Sequence, residues 1–133
     1  MKNIYAFLAV FFVGIFAVNA QCPTCAPDPT CTNTTGTPMI CPAIPPNATT
    51  GVYYEQVMTF FIPTDVVDPS SGINATLLQL TITDVSGLPF GLEFTLNDAD
   101  GIFYPPQGET SGCATICGVP VLPGTYDIVI SIT

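Results

Sequence analysis

Apolar residues recur at every second position through much of the second half of the chain. Leu92, Phe94 and Leu96 alternate with Glu93 and Thr95. Tyr126, Ile128, Ile130 and Ile132 alternate with Asp127, Val129, Ser131 and Thr133. Leu78, Leu80 and Ile82 share one face of a third run, with Thr81 and Thr83 opposite. A period of two is the mark of a half-buried β-strand, because successive side chains point to opposite faces. Residues 52–62, rich in Tyr, Phe and Val and ended by Pro63, read as a fourth strand, and 114–117 as a short fifth. Turn signals separate these runs, at 65–72, 87–91, 118–124 and the Gly/Pro-rich stretch 97–112. No helical period appears after residue 20. The pattern predicts an all-β chain folded as a sandwich.

The first fifty residues differ from this pattern. Lys2 precedes an apolar run from Ile4 to Val18, and Val18-Asn19-Ala20 then offers compact residues at the −3 and −1 positions of a cleavage site. Residues 1–20 read as a secretory signal peptide cut before Gln21, since the run is shorter than the roughly 20 residues a spanning helix needs. A lipid anchor on Cys22 fits poorly, because Gln21 stands where a small residue is expected. Residues 21–50 carry four cysteines and seven prolines, with Thr, Asn and Gly between them. Proline removes backbone donors and restricts its predecessor, so neither a helix nor a central strand fits. The expected organisation is therefore a signal peptide (1–20), a Cys/Pro-rich irregular arm (21–50) and a β-sandwich module (51–133).

Charge narrows the function sharply. Lys plus Arg number 1, Asp plus Glu 10 and His 0 among 133 residues. Lys2 leaves with the signal, taking the formal net charge from −9 to −10. Nothing remains to neutralise phosphates, which excludes nucleic-acid binding and phosphoryl-transfer clamps. Without His there is no Ser-His or Cys-His nucleophile pair and no imidazole metal ligand. After cleavage no span of the membrane is expected.

Export gives the six cysteines, Cys22, Cys25, Cys31, Cys41, Cys113 and Cys117, an oxidising context in which disulfides are expected. Six cysteines allow 15 pairings. Cys22-Pro-Thr-Cys25 is a C-x-x-C, but it lacks the helix start that lowers a redox thiol's pKa. Zinc would need Cys31 and Cys41 at spacings unlike a paired C-x-x-C site. Cys113 and Cys117 would lie about 13 Å apart in a straight strand, beyond the ~7 Å a disulfide tolerates. Either their segment bends and they pair locally, or each finds a partner elsewhere, such as the arm.

Three phrases of the second half belong together: SGLPFGL at 86–92, ICGVP at 116–120 and PGTYDIVI at 123–130. In this order they resemble the Ig-like modules of bacterial surface proteins, and more closely a variant in proteins exported by type IX secretion. That variant has a Gly-Cys step like Gly112-Cys113 and a Cys/Pro segment after its signal. The resemblance covers 51–133 and implies an Ig-like sandwich. Cys117 and Val119 stand where the family has Ser and Thr. The family's usual partner for Cys113 falls where this chain has Thr95, Leu96 and Asn97, which favours the local Cys113–Cys117 pairing. The resemblance also implies a sorting domain further on, so the chain is expected to be a short relative or a piece of a longer protein.

The remaining candidate chemistry is sparse. Asp98 and Asp100 form a D-x-D-G fragment, suited to calcium or simply to a turn. Asp65 and Asp68 repeat the idea less completely. Tyr53, Tyr54, Phe103 and Tyr104 are aromatic candidates for sugar contact. Asn33, Asn47 and Asn74 head N-x-Thr triplets and read as Thr-rich loop composition. The sequence thus predicts a secreted or cell-surface, non-catalytic Ig-like module with a structural or adhesive role. Its partner is a protein or glycan surface whose binding residues the sequence does not name, and it requires no cofactor. The alternative is a carbohydrate- or calcium-binding accessory module of a secreted enzyme.

Overall fold

β-Branched and aromatic residues build nine strands in the computed structural model, which describes residues 21–68 and 70–133. They are β1 (Met39–Cys41), β2 (Tyr54–Phe61), β3 (Asp65–Val67), β4 (Asn74–Thr76), β5 (Leu80–Ser86), β6 (Leu92–Leu96), β7 (Ile102–Phe103), β8 (Ser111–Gly118) and β9 (Val129–Ile132). A single 3-10 turn, Pro105–Gln107, is the one helical element among the described residues. The signal peptide expected over 1–20 lies outside them. No helix among the described residues is long and apolar enough to cross a membrane.

The fold is all-β. A four-stranded antiparallel sheet runs β1-β2-β8-β6, a three-stranded sheet runs β7-β5-β9, and β3 and β4 form a separate hairpin. β8 lies at the centre because both its edges are paired, over its whole length with β2 and from Ala114 to Gly118 with β6. Phe60 of β2 meets Phe103 of β7 edge-to-face, ring centroids 5.2 Å apart, and so joins the two sheets. Gly112, opposite Phe60, leaves room for both rings.

Strand bounds depart from the sequence pattern where context intervenes. The 65–72 segment, expected as a loop, begins a hairpin in which Asp65 pairs with Thr76 and Val67 with Asn74. The last strand is only Val129–Ile132, although the alternation ran back to Thr125. Leu78, expected beside Leu80 and Ile82, is exposed and precedes β5. The arm contributes the edge strand β1, the sheet position open to a Pro-rich segment.

Register assigns the faces of the four-stranded sheet. Cys41 opposes Thr59, Thr59 opposes Cys113, Val57 opposes Thr115 and Glu55 opposes Cys117. These residues share the outer face. Ile40, Met58, Phe60, Ala114, Ile116, Phe94 and Leu96 share the inner one, toward the three-stranded sheet. All three strand cysteines therefore point to one side. That side is where the arm lies.

Candidate functional site

The arm is bolted to β8 at two points and cross-linked within itself, through β1, at a third. Cys22 is bonded to Cys117, Cys25 to Cys113 and Cys31 to Cys41. The local Cys113–Cys117 pairing is thereby corrected. β8 stays straight, its two cysteines fall on the same face because their spacing is even, and the arm supplies a partner to each. The expectation of disulfides holds for all six cysteines, and none is free. As the arm advances from Cys22 to Cys25, β8 recedes from Cys117 to Cys113, so the two run in opposite directions. An Asp-Pro-Thr-Cys turn then places Cys31. Asp28 accepts the N–H and hydroxyl of Thr30 at 2.8 and 2.7 Å, and the Cys31 N–H donates to the Asp28 carbonyl at 3.1 Å. The Thr30 hydroxyl and N–H also hold the Asp28 carboxyl below its ordinary pKa.

Beneath the arm the packing is closed. Cys113 and Cys117, and Thr59 and Thr115, are all 0% exposed. The inner face is different. Met58, Phe60, Phe94, Leu96 and Ala114 are only half-buried, and across from them Ile130 and Ile132 of β9 are exposed. A cleft of about 920 Å³ lies between the sheets, lined mainly by apolar side chains. Its lining includes an edge strand of each sheet, β1 at Met39 and Ile40 and β9 at Ile130 and Ile132, so it reaches the rim of the sandwich. Asp127 is the one carboxylate along it. Sequence reasoning missed this cleft, because alternation marks Ile130 and Ile132 as inward-facing without showing how much lies opposite.

The three family-like phrases converge at one end of the sandwich. The Val119 N–H donates to the Gly91 carbonyl at 3.1 Å and the Val121 N–H to the Phe90 carbonyl at 3.0 Å. The β6–β8 pairing thus continues past the ends of both strands. The Gly51 N–H donates to the Pro120 carbonyl at 2.9 Å and brings in the start of the module. Gly91 has φ +96°, and a Cβ there would run into the Val119 carbonyl oxygen. Phe90, 74% exposed, and Leu122 stand out from this end.

The other sequence candidates are dispersed. Asp98 and Asp100 sit in the turn before β7. The Asp98 carbonyl accepts the Gly101 N–H at 3.2 Å, and the Asp100 carboxylate accepts the Ile102 N–H at 2.8 Å. Asp100 also lines a smaller hollow of about 510 Å³ with Asp84. Among the described residues the one group of three side chains able to share a metal is Cys22, Glu93 and Cys117, whose sulfurs are spent in one disulfide. Asp65 accepts the Thr76 hydroxyl at 3.1 Å across its hairpin. Asp68 accepts the Ser70 N–H and both serine hydroxyls, which pull its pKa down to about 2.

The aromatic candidates form no platform. Phe103 is buried at the Phe60 end of β2, about 20 Å from Tyr54 at strand rise. The Tyr54 hydroxyl donates to the Pro46 carbonyl at 3.0 Å, and that of exposed Tyr53 to Glu55 at 3.1 Å. Burial raises the pKa of both phenols, and Glu55 adds to the shift at Tyr53. Asn33 organises a turn, accepting the Thr35 and Gly36 N–H groups and donating to the Thr37 carbonyl.

Comparison with protein families, with characterised proteins and with solved structures returns no match.

Proposed function

We propose that this chain is an exported, non-catalytic, Ig-like module that acts by binding, in a structural or adhesive role at or outside the cell surface. One observation carries the reading. The arm covers the centre of the outer face and is cross-linked to it, while the inner face is left as an apolar cleft that reaches the rim. A rigid scaffold with one face closed and one open is suited to holding a partner. The three disulfides support an oxidising compartment, and the signal-like residues 1–20 support export to it. The Ig-like assignment rests on the 86–92, 116–120 and 123–130 phrases, which meet at one end of the sandwich as a shared motif would require.

The test is fractionation of the native host, with a deletion strain compared for attachment to surfaces and to other cells. The reading predicts an oxidised product beginning at Gln21 in the medium or on the surface, and weaker attachment on deletion. A reduced cytoplasmic product would contradict it. So would a hydrolytic activity that copurifies with the chain and is lost in Asp98→Asn.

A further inference from the structure

We propose that the cleft takes an extended strand of a partner protein, laid along the free edge of β9. Its apolar residues recur at alternate positions, with neutral or basic residues between them. The proposal rests on the binding-module reading and names the partner of that same site.

The backbone of β9 supplies the first argument. The Thr133 N–H and carbonyl both bond to Thr81 of β5, at 2.9 and 2.8 Å. Peptide groups alternate sides along a strand, so those of Ser131 and Val129 also face β5. The N–H and C=O groups of Ile130 and Ile132 then face away, and β9 has a strand partner on one side only among the described residues. Nothing from Val129 to Thr133 blocks pairing there, for the segment holds neither Pro nor a charge.

The side chains supply the second. Ile130 and Ile132 line the cleft, and Ile132 is 61% exposed. A strand added beside β9 places every second side chain on that same face. Ile40 and Ile44 also line the cleft, and Ile44 is 84% exposed. The added side chains would cover hydrocarbon that neither sheet now covers. Main-chain bonds to an edge with pockets for alternate side chains is the general logic of strand addition.

Charge selects the occupant. All ten ionisable carboxylates of residues 21–133 lack an internal cation, and Asp127 lies on the cleft itself. A second copy brings the same −10 and is repelled. A neutral or basic segment is not.

The experiment uses the oxidised, exported chain and three capped synthetic peptides of about ten residues. One alternates Val with Lys, one alternates Val with Glu, and one has the Val/Lys composition in blocks. Fluorescence anisotropy reads affinity, and hydrogen exchange reads protection at Ile130 and Ile132. The alternating Val/Lys peptide should bind saturably and protect both amides. The Glu peptide should bind at least tenfold more weakly at low salt, with the gap closing as salt screens the charges. Ile132→Pro deletes an outward N–H that β5 does not use, and should abolish binding. N-methylation of the peptide's β9-facing amides should do the same with the protein untouched, which covers the case of a variant that misfolds. No saturable binding, equal binding of the blocked peptide, or equal binding of the Glu peptide would overturn the proposal. Self-association of the chain that Ile132→Pro prevents would overturn it in favour of a second copy. None of these outcomes alters the fractionation and attachment results, so the module reading stands or falls separately.

Discussion

Thr59 and Thr115 lie one diagonal step apart on the outer face of the central strands, both fully buried, yet only one hydroxyl is engaged. The Thr59 hydroxyl oxygen accepts the Asp28 N–H from the arm at 2.9 Å. The Thr115 hydroxyl has no partner. A buried, unpaired hydroxyl costs about 1–3 kcal/mol, whereas a made hydrogen bond contributes about 1 kcal/mol net. Thr115→Val should therefore stabilise the fold by about 1 kcal/mol. Thr59→Val should destabilise it by about 1–3 kcal/mol, because the Asp28 N–H loses its acceptor. Urea unfolding of the oxidised protein checks both signs.

The disulfide pattern predicts a specific fragment. Proteolysis after acidic residues cuts behind Glu55, Glu109 and Asp127 but spares Asp28, which Pro29 follows. Without reduction, the peptide that carries Cys22 and Cys25 and ends at Glu55 should stay covalently joined to 110–127 through two bonds. Local pairing within each peptide would release them separately. Replacing Cys25 and Cys113 together by Ala should cost about 2–5 kcal/mol, as removal of a native disulfide typically does.

Gly91 and Gly36 both have left-handed backbone, at φ +96° and +67°, but only Gly91 is crowded. Gly36→Ala should cost about 1–2 kcal/mol, the usual cost of a Cβ in that conformation. Gly91→Ala should cost more, since the Val119 carbonyl must move and the strand-end pairing with it. Thermal unfolding of the two variants side by side gives the difference.

Asp68 gives a pH prediction. Its folded pKa is depressed to about 2 by the hydroxyls of Ser71 and Ser70 and the Ser70 N–H. A depressed carboxylate contributes stability above its unfolded pKa of about 3.9, and that contribution is lost as pH falls through the folded value. The turn between β3 and β4 should hold at pH 4 and loosen toward pH 2. Carboxyl-carbon NMR titration should place the Asp68 midpoint well below those of carboxylates without such donors. A midpoint near 4 would contradict the serine contacts.

Local pattern revealed much of the fold and little of the site. Leu92, Phe94 and Leu96 alternate with Glu93 and Thr95 over the five residues of β6, because that strand has one apolar and one polar face. The β3–β4 hairpin was hidden because Asp, Ser, Gly and Asn read as turn formers, even though Asp65 and Asn74 themselves pair in the ladder. The cross-links were hidden because they join residues 95 and 88 positions apart. A signal was nonetheless present. Even spacing puts Cys113 and Cys117 on one face, and an extended Cys22-Pro-Thr-Cys25 spans about 10 Å, close to their ~13 Å separation. The cleft is a property of how two sheets meet, and no single strand's alternation encodes it.

The central claim is a sandwich closed on its arm side and open along the β9 edge. Residue-resolved hydrogen exchange on the oxidised chain tests it most directly. The account predicts slow exchange at Thr115 and Cys117, paired within the central strand β8, and fast exchange at Ile130 and Ile132. Protection at Ile130 and Ile132 equal to that of β8, with no partner added, would contradict it.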